Sequence, residues 1–284
     1  MIQHFRFGSP IRTDSVVQDI PVSSDAVPFL TADADGWVYT MAPDAIVYGL
    51  GEMPRGINKR GWHYVANNTD ESHHGENKVS YYGAHNFLLI DGGPGGDLFG
   101  VFVDFPGKVH YDIGYTVHDT LRFATEEPDY ELYILTGADP NDIAHQFRQL
   151  IGRSYIPPKW AFGLQQSRWG YKTAEDVREV ARQYKENDLP LDMICMDIDY
   201  MQDYADFTIN KERFPDLAAL AAELKAQGIR LVPIIDAGVR IDPEEPTCTE
   251  GLEKGYFCKK EDGTPFVAAV WPGKAYFADF LRPE

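Results

Sequence analysis

Short apolar runs separated by turn residues fill the first part of the chain. The clearest are AIVYGLGE (45–52), NFLLIDGG (86–93), LFGVFVDF (98–105), KVHYDIGY (108–115) and YELYILTG (130–137). Their alternation, with Gly, Asp and Pro between the runs, is typical of antiparallel strands in a sandwich. We therefore predict an N-terminal β-sandwich domain over residues 1–152.

A helix is predicted to close this domain. In ADPNDIAHQFRQLIG, Asp139 can cap the first turn and Pro140 suits the first helical position. The apolar side chains form one stripe, made of Ile143, Phe147, Leu150 and Ile151. Gly152 can end the helix in a left-handed conformation. The Pro-containing RSYIPPKW that follows is interpreted as a stiff connector, so a second domain is expected over 153–284.

After Trp160 the pattern becomes strand, helix, strand, helix. Strands are predicted at 160–169, 193–200, 230–238 and 266–273, and helices at 173–187 and 216–228. Repeated βα units indicate parallel strands, in either a doubly wound sheet or a (β/α)8 TIM barrel. Pro233 counts against a central position for the third strand.

The stretch MICMDIDYMQD leads an apolar strand into two carboxylates. By strand alternation, Ile194, Met196 and Ile198 share one face, which suits the helices. Asp197 and Asp199 then share the other face and point into the lumen, at the end of the strand where barrel enzymes place their sites.

Other predicted strand ends carry similar chemistry. Asp236 is the last position of the third strand, Trp169 follows the first strand, and Trp271 ends the fourth. Carboxylates accept hydrogen bonds from sugar hydroxyls, and indole faces cover the apolar C–H patches of the ring. A saccharide site is therefore expected there, although a single Asp at a strand end is more often a turn former or a helix cap.

Composition narrows the function classes. Hydrophobic residues make up 44% of the 284 residues, and the net charge is −18. Such a charge repels phosphate backbones and anionic lipid, so neither nucleic acid nor a membrane is expected as a partner. Three cysteines without metal-type spacing, together with no signal peptide or long apolar run, favour a reducing, cytoplasmic location.

Four motifs together resemble glycoside hydrolase family 31, the α-glucosidase family. They are YGLGE (48–52), RSYIPPKWAFGLQQSRWGY (153–171), MDIDYMQDYADFTIN (196–210) with ERFPD, and VWPG (270–273). The resemblance implies an N-terminal β-sandwich followed by a partial (β/α)8 barrel of about four strands. It also implies an enzyme that removes terminal α-linked glucose with retention, without metal or organic cofactor, acting on α-glucoside oligosaccharides or releasing glucose.

The resemblance also assigns binding residues. Asp197 matches the aspartate that binds sugar hydroxyls in the first subsite, and Ile198 matches a wall of that subsite. Trp169, Asp236 and Trp271 match further lining positions. Asp70, in ANNTDES, matches a sandwich loop that contacts substrate.

The catalytic carboxylates have no counterpart in these 284 residues. The family nucleophile lies in an Asp-Met-Asn-Glu-Pro pattern that does not occur here, and the acid/base follows it, so both are expected beyond Glu284. We therefore expect a fragment that is inactive alone. Half a barrel would leave unpaired strand edges and open lumen positions at Val232, Ile234 and Val267, which predicts self-association.

Three alternatives remain open. The Asp197–Asp199 pattern also occurs in metal-dependent glycosyltransferases that use sugar nucleotides, although the chain has no basic cradle for a diphosphate. DESHHGE (70–76) offers metal-ligating residue types, although a solvated loop fits adjacent histidines better. The sandwich could also be a non-catalytic carbohydrate-binding module.

Overall fold

A computed structural model of the chain describes residues 1–282. The chain divides into two compact units, Met1–Tyr155 and the part from Ile156 onward. Each unit has its own hydrophobic core.

The N-terminal unit contains ten strands and one helix among its described residues. The strands are β1 (Ile2–Phe7), β2 (Thr31–Asp33), β3 (Gly36–Thr40), β4 (Ile46–Gly51), β5 (Trp62–Ala66), β6 (Ala84–Asp91), β7 (Leu98–Asp104), β8 (Val109–Ile113), β9 (Thr120–Thr125) and β10 (Tyr130–Thr136), and the helix is α1 (Pro140–Leu150). They form two antiparallel five-stranded sheets, ordered β1-β10-β7-β6-β4 and β2-β3-β9-β8-β5.

The two sheets pack face to face around a shared core. Leu88 and Val101 from the first sheet join Tyr111 and Phe123 from the second in one buried cluster. Tyr39 on β3 meets Phe99 on β7 edge-to-face, with ring centroids 5.0 Å apart. This is the sandwich arrangement expected from the alternating pattern.

Helix α1 covers the outer face of the first sheet. Its N-cap is Asp139, whose side chain accepts the Asp142 N–H, and Pro140 stands at the first helical position. Phe147 stacks on Phe87 of β6 with ring centroids 3.9 Å apart. Because this sheet is covered on both faces, β6, β7 and β10 carry nearly continuous apolar runs instead of strict alternation.

The C-terminal unit contains six strands and three helices among its described residues. They are β11 (Gln165–Arg168), α2 (Ala174–Glu186), β12 (Met193–Met196), α3 (Leu217–Ala226), β13 (Arg230–Pro233), β14 (Gly238–Arg240), α4 (Pro246–Lys254), β15 (Val267–Val270) and β16 (Gly273–Phe277). Within residues 1–282, no helix is both long enough and apolar enough to cross a membrane.

β11, β12 and β13 form a parallel sheet with β12 in the centre. Ser167, Cys195 and Val232 lie side by side in its register. Helix α2 begins with a capping box between Thr173 and Asp176, and α3 begins at the cap Asp216. Apolar positions of both helices pack with Ile194 and Met196 of β12, so the predicted helix-facing side of this strand is confirmed.

The prediction of a fourth parallel strand at 266–273 is wrong. β15 covers only part of this segment and pairs antiparallel with β16, which in turn pairs with β14. A tight turn at Trp271 and Pro272 joins β15 directly to β16, and the two strands pair as an antiparallel hairpin, so β15 belongs to a different sheet from β13. Val267 therefore does not belong to the parallel sheet that contains Val232, and residues 1–282 contain no closed barrel.

Candidate functional site

The candidate site lies where β12 and β13 end. β12 stops at Met196, and Asp197 follows it as the cap of a 3₁₀ turn over Ile198–Tyr200, with its Oδ1 accepting the Ile198 N–H at 2.7 Å. Its carboxylate is half-buried. One side chain thus starts the turn and leaves an oxygen available at the strand end.

Asp199 does not share a face with Asp197, contrary to the sequence prediction. It is buried, with 2% exposed, and its Oδ2 has no hydrogen-bond partner among the described residues. The alternation of side chains along β12 ends at Met196. In the 3₁₀ turn that follows, three residues complete one turn, so the side chains of residues i and i+2 point in different directions.

Ile198 lies in the core on the helix side of the unit. It is 6% exposed and packs in the cluster that contains side chains of α2 and α3. Its side chain therefore offers little surface to a ligand. Tyr200, also buried, donates from its hydroxyl to the Ile234 carbonyl at 2.8 Å and ties the exit of β12 to the exit of β13.

Asp236 is placed close to Asp197, three residues after the end of β13 and not within the strand. Burial, and then the negative charges of Asp206 and Asp197, raise the pKa of Asp236 above its ordinary value. The three carboxylates therefore form one acidic cluster at neighbouring strand ends.

Asp206 was not among the predicted site residues, although it belongs to the MDIDYMQDYADFTIN motif. It is 3% exposed, and its carboxylate accepts the backbone N–H groups of Asp236 at 3.1 Å and Gly238 at 3.3 Å. Its partners lie about thirty positions further along the chain, so no local pattern reveals this role.

The two tryptophans are exposed and come from different structural settings. Trp169 directly follows β11 and is 64% exposed. Trp271 is 70% exposed and lies in the β15–β16 turn, not at the end of a parallel strand as predicted. The preceding Val270 lies against Gly238, where an added methyl group would come within 2.8 Å of its side chain. Trp271 therefore directly follows a residue, Val270, that packs on the segment after Asp236.

Asp70 belongs to the N-terminal unit, where it accepts the Tyr82 hydroxyl at 3.0 Å. In the same DESHHGE loop, His73 contacts the Ser72 hydroxyl and His74 packs against the rings of Tyr81 and Tyr82. Across residues 1–282, no three His, Cys, Asp or Glu side chains converge in a way that could hold a metal ion.

This geometry suits a neutral ligand rich in hydroxyl groups. Half-buried carboxylates can accept hydrogen bonds from hydroxyls, and exposed indoles can stack on apolar ring faces. Asp197 and Asp236 lie beyond the carboxyl ends of adjacent strands of one sheet, so both carboxylates would approach a ligand from the same side and would not flank a bond from opposite sides.

The architecture is that of proteins in which a sandwich unit precedes a parallel βα unit. Two family models agree with this description along the chain. The glycosyl hydrolase 31 N-terminal galactose mutarotase-like domain matches residues 20–112, and the glycosyl hydrolases family 31 TIM-barrel domain matches residues 154–284. The chain therefore belongs to glycoside hydrolase family 31.

Relatives with established names are longer than this chain. Alpha-glucosidase 2 of Bacillus thermoamyloliquefaciens is 40% identical over 239 residues, covering 84% of this chain and 30% of the relative. Human intestinal sucrase-isomaltase is 31% identical, covering 90% of this chain and 14% of the relative. The chain thus spans about a third or less of the length of these relatives.

Solved structures share the fold. A Flavobacterium johnsoniae GH31 dextranase complexed with isomaltotriose superposes with a TM-score of 0.77 and 24% identity, covering 91% of this chain and 32% of that one. The glucosidase II alpha subunit gives a TM-score of 0.75, covering 87% and 29%. At this identity the likeness supports the fold.

Proposed function

We propose that this chain is the N-terminal portion of a retaining α-glucosidase that acts on terminal α-linked glucose of oligosaccharides. One observation carries the proposal: in a family 31 chain, Asp197 and Asp236 converge at the carboxyl ends of adjacent parallel strands. The printed names of several relatives, which include alpha-glucosidases, support the substrate class.

Each site residue has a proposed role. Asp197 and Asp236 accept hydrogen bonds from glucose hydroxyls, while Trp169 and Trp271 cover apolar faces of the sugar. Ile198 supports the pocket from behind, because its side chain is almost fully buried.

The proposed site binds sugar but lacks the catalytic pair. Retaining hydrolysis needs a nucleophile and an acid/base about 5 Å apart on either side of the glycosidic bond. Asp197 is half-buried at the strand end, whereas Asp199 is enclosed in the core, so these two cannot flank one bond. We therefore expect binding of maltose or isomaltose by this chain without release of glucose.

Titration calorimetry with maltose, on the wild-type chain and Asp197→Asn, tests the proposal. The asparagine Oδ1 can still accept the Ile198 N–H, so the turn is kept while the charge is lost. Loss of a hydrogen bond to a charged group weakens affinity about tenfold or more. Glu253→Gln, at an exposed position of α4, removes one carboxylate charge away from these strand ends, so it is the matched control and should leave affinity unchanged.

Two results would contradict the assignment. Glucose release by the wild-type chain, abolished in Asp197→Asn, would make Asp197 catalytic. Maltose binding that is equal in the two proteins would move the site elsewhere and favour a carbohydrate-binding role for the sandwich unit.

We also propose self-association of this chain through the open edges of the parallel sheet, supported by the exposed apolar residues near them. The cytoplasmic location expected from the sequence stays a prediction.

A further inference from the structure

The loop that follows β12 carries a buried carboxylate, Asp206, whose two hydrogen-bond partners are backbone N–H groups. Asp206 is 3% exposed, and its two oxygens accept the N–H groups of Asp236 and Gly238, at 3.1 and 3.3 Å. Both partners are donors: Asp236 lies in the segment that joins β13 to β14, and Gly238 is the first residue of β14. A carboxylate suits this position because it accepts through both oxygens and donates through neither.

The loop holds Asp206 in place at a conformational cost. Asp203, Tyr204 and Phe207 have φ values of 50°, 60° and 65°. Residues other than glycine rarely adopt this left-handed region, at roughly 1–3 kcal/mol each, and do so where surrounding contacts enforce it. Here Thr208 supplies such contacts, since its hydroxyl donates to the Ala205 carbonyl at 2.5 Å and accepts the Gln202 N–H at 2.9 Å.

The segment that receives these bonds is also held in an uncommon conformation. Ala237, between the two bonded amides, has a φ of 56°. This conformation allows the amides on either side of it to reach one carboxylate, as in a backbone nest. Tyr200 adds a third tie, donating to the Ile234 carbonyl at 2.8 Å.

We propose that Asp206 is the positioning residue that fixes Asp236 beside Asp197 in the glucoside site. The proposal rests on the function proposed above and adds a residue that would not itself touch the sugar. Asp206 acts through the backbone of residues 236–238, which aims the Asp236 side chain. An asparagine could accept only one of the two N–H groups and would turn its own NH₂ toward the other.

The charge of Asp206 has a second effect on the site. Burial is the main cause that raises the pKa of Asp236, and the charges of Asp206 and Asp197 raise it further. Tyr200 is the other titratable group in this cluster, and its pKa is raised by burial and then by Asp206 and Asp236. Removing the Asp206 charge should therefore move the ionisation of Asp236 to lower pH.

The experiment compares the wild-type chain, Asp206→Asn and the matched control Glu253→Gln, at an exposed position of α4. Three quantities are measured: amide hydrogen exchange at 236 and 238, maltose affinity between pH 4 and 8, and the pH at which affinity changes. We expect Asp206→Asn to exchange these amides at least tenfold faster, to bind maltose about tenfold more weakly, and to shift its pH midpoint downward. Glu253→Gln should match the wild type in all three.

The outcomes separate this proposal from the proposed function. If wild type binds maltose and Asp206→Asn keeps the same affinity and pH midpoint, the positioning role is wrong and the glucoside site stands. If wild type binds no glucoside, the proposed function fails, and amide exchange then decides whether Asp206 holds the Asp236 segment.

A measurement on the wild-type chain covers the case in which Asp206→Asn does not fold. In NMR spectra of the wild-type chain, the amides of Asp236 and Gly238 should both be protected from hydrogen exchange, because each donates to the buried Asp206 carboxylate. Exchange of either amide at the rate of an unbonded amide would overturn the proposal.

Discussion

Aspartates in this chain are used in opposite ways, depending on what surrounds each carboxylate. Asp197 starts a turn and keeps part of its surface available, whereas Asp104 at the end of β7 is 8% exposed. The Thr13 hydroxyl lies 2.8 Å from both oxygens of Asp104. Burial nevertheless raises the pKa of Asp104, and hydrogen bonds from Thr13 and Ser15 offset this only in part.

The raised pKa of Asp104 should contribute a decrease in the free energy of unfolding as pH rises. Its carboxyl keeps a proton to higher pH in the folded chain than in the unfolded chain, so the folded state binds more protons in that window. The free energy of unfolding therefore decreases as pH rises through the raised pKa. Asp104→Asn cannot ionise at this position. The free energy of unfolding of Asp104→Asn minus that of the wild type should therefore increase from pH 3 to pH 7.

Urea denaturation at pH 3, 5 and 7 measures this difference. Asp25→Asn, at an exposed position in the same unit, is the matched control and should show no such trend. A difference between Asp104→Asn and wild type that stays constant or shrinks with rising pH would contradict the interpretation.

At the scale of elements, α1 and β7 depend on each other through one small residue. A methyl group built on Gly100 would lie 2.9 Å from Ile143 Cγ2 and 3.1 Å from the Phe87 ring. Because Gly100 has no side chain, α1 can approach β7 this closely.

Gly100→Ala should therefore destabilise the N-terminal unit by about 1–3 kcal/mol through overpacking. Ile143→Ala alone leaves a cavity and should cost about 2–5 kcal/mol. In the double variant the new methyl enters the space that Ile143 vacates, so its loss should be clearly smaller than the sum of the two. Chemical denaturation measures all three, with Gly75→Ala as control, because a methyl there meets only the Asn77 side chain. Additive losses would show that Gly100 and Ile143 are not in contact.

The sequence predicted those features that depend only on residues close together in the chain. The cap Asp139 and the apolar stripe of α1 follow from sequence spacing and are confirmed. The run FVAAVWPG correctly predicted a strand, but the pattern of apolar residues does not show which strand it pairs with. The parallel pairing was wrong, because β15 pairs antiparallel with β16. Asp206 escaped prediction for the same reason, since the amides it holds belong to a distant segment.

At the scale of the whole molecule, the C-terminal unit presents an incomplete surface. β11 and β13 are the outer strands of the parallel sheet, and within residues 1–282 no other strand pairs with their free edges. Near these strands Phe162 is 73% exposed, Leu164 44% and Ile234 40%. Free edges combined with exposed apolar side chains favour pairing with another chain.

We expect this chain to associate at micromolar concentration, as measured by light scattering. The net charge of −18 opposes contact between copies, and salt screens that repulsion, so association should strengthen between low and physiological ionic strength. Ile234→Lys places a charge beside the free edge of β13 and should weaken association. Leu252→Lys, at a residue 42% exposed on α4, is the control and should not. A monomer at every salt concentration, or equal effects of the two lysines, would show that the open sheet edge does not drive assembly.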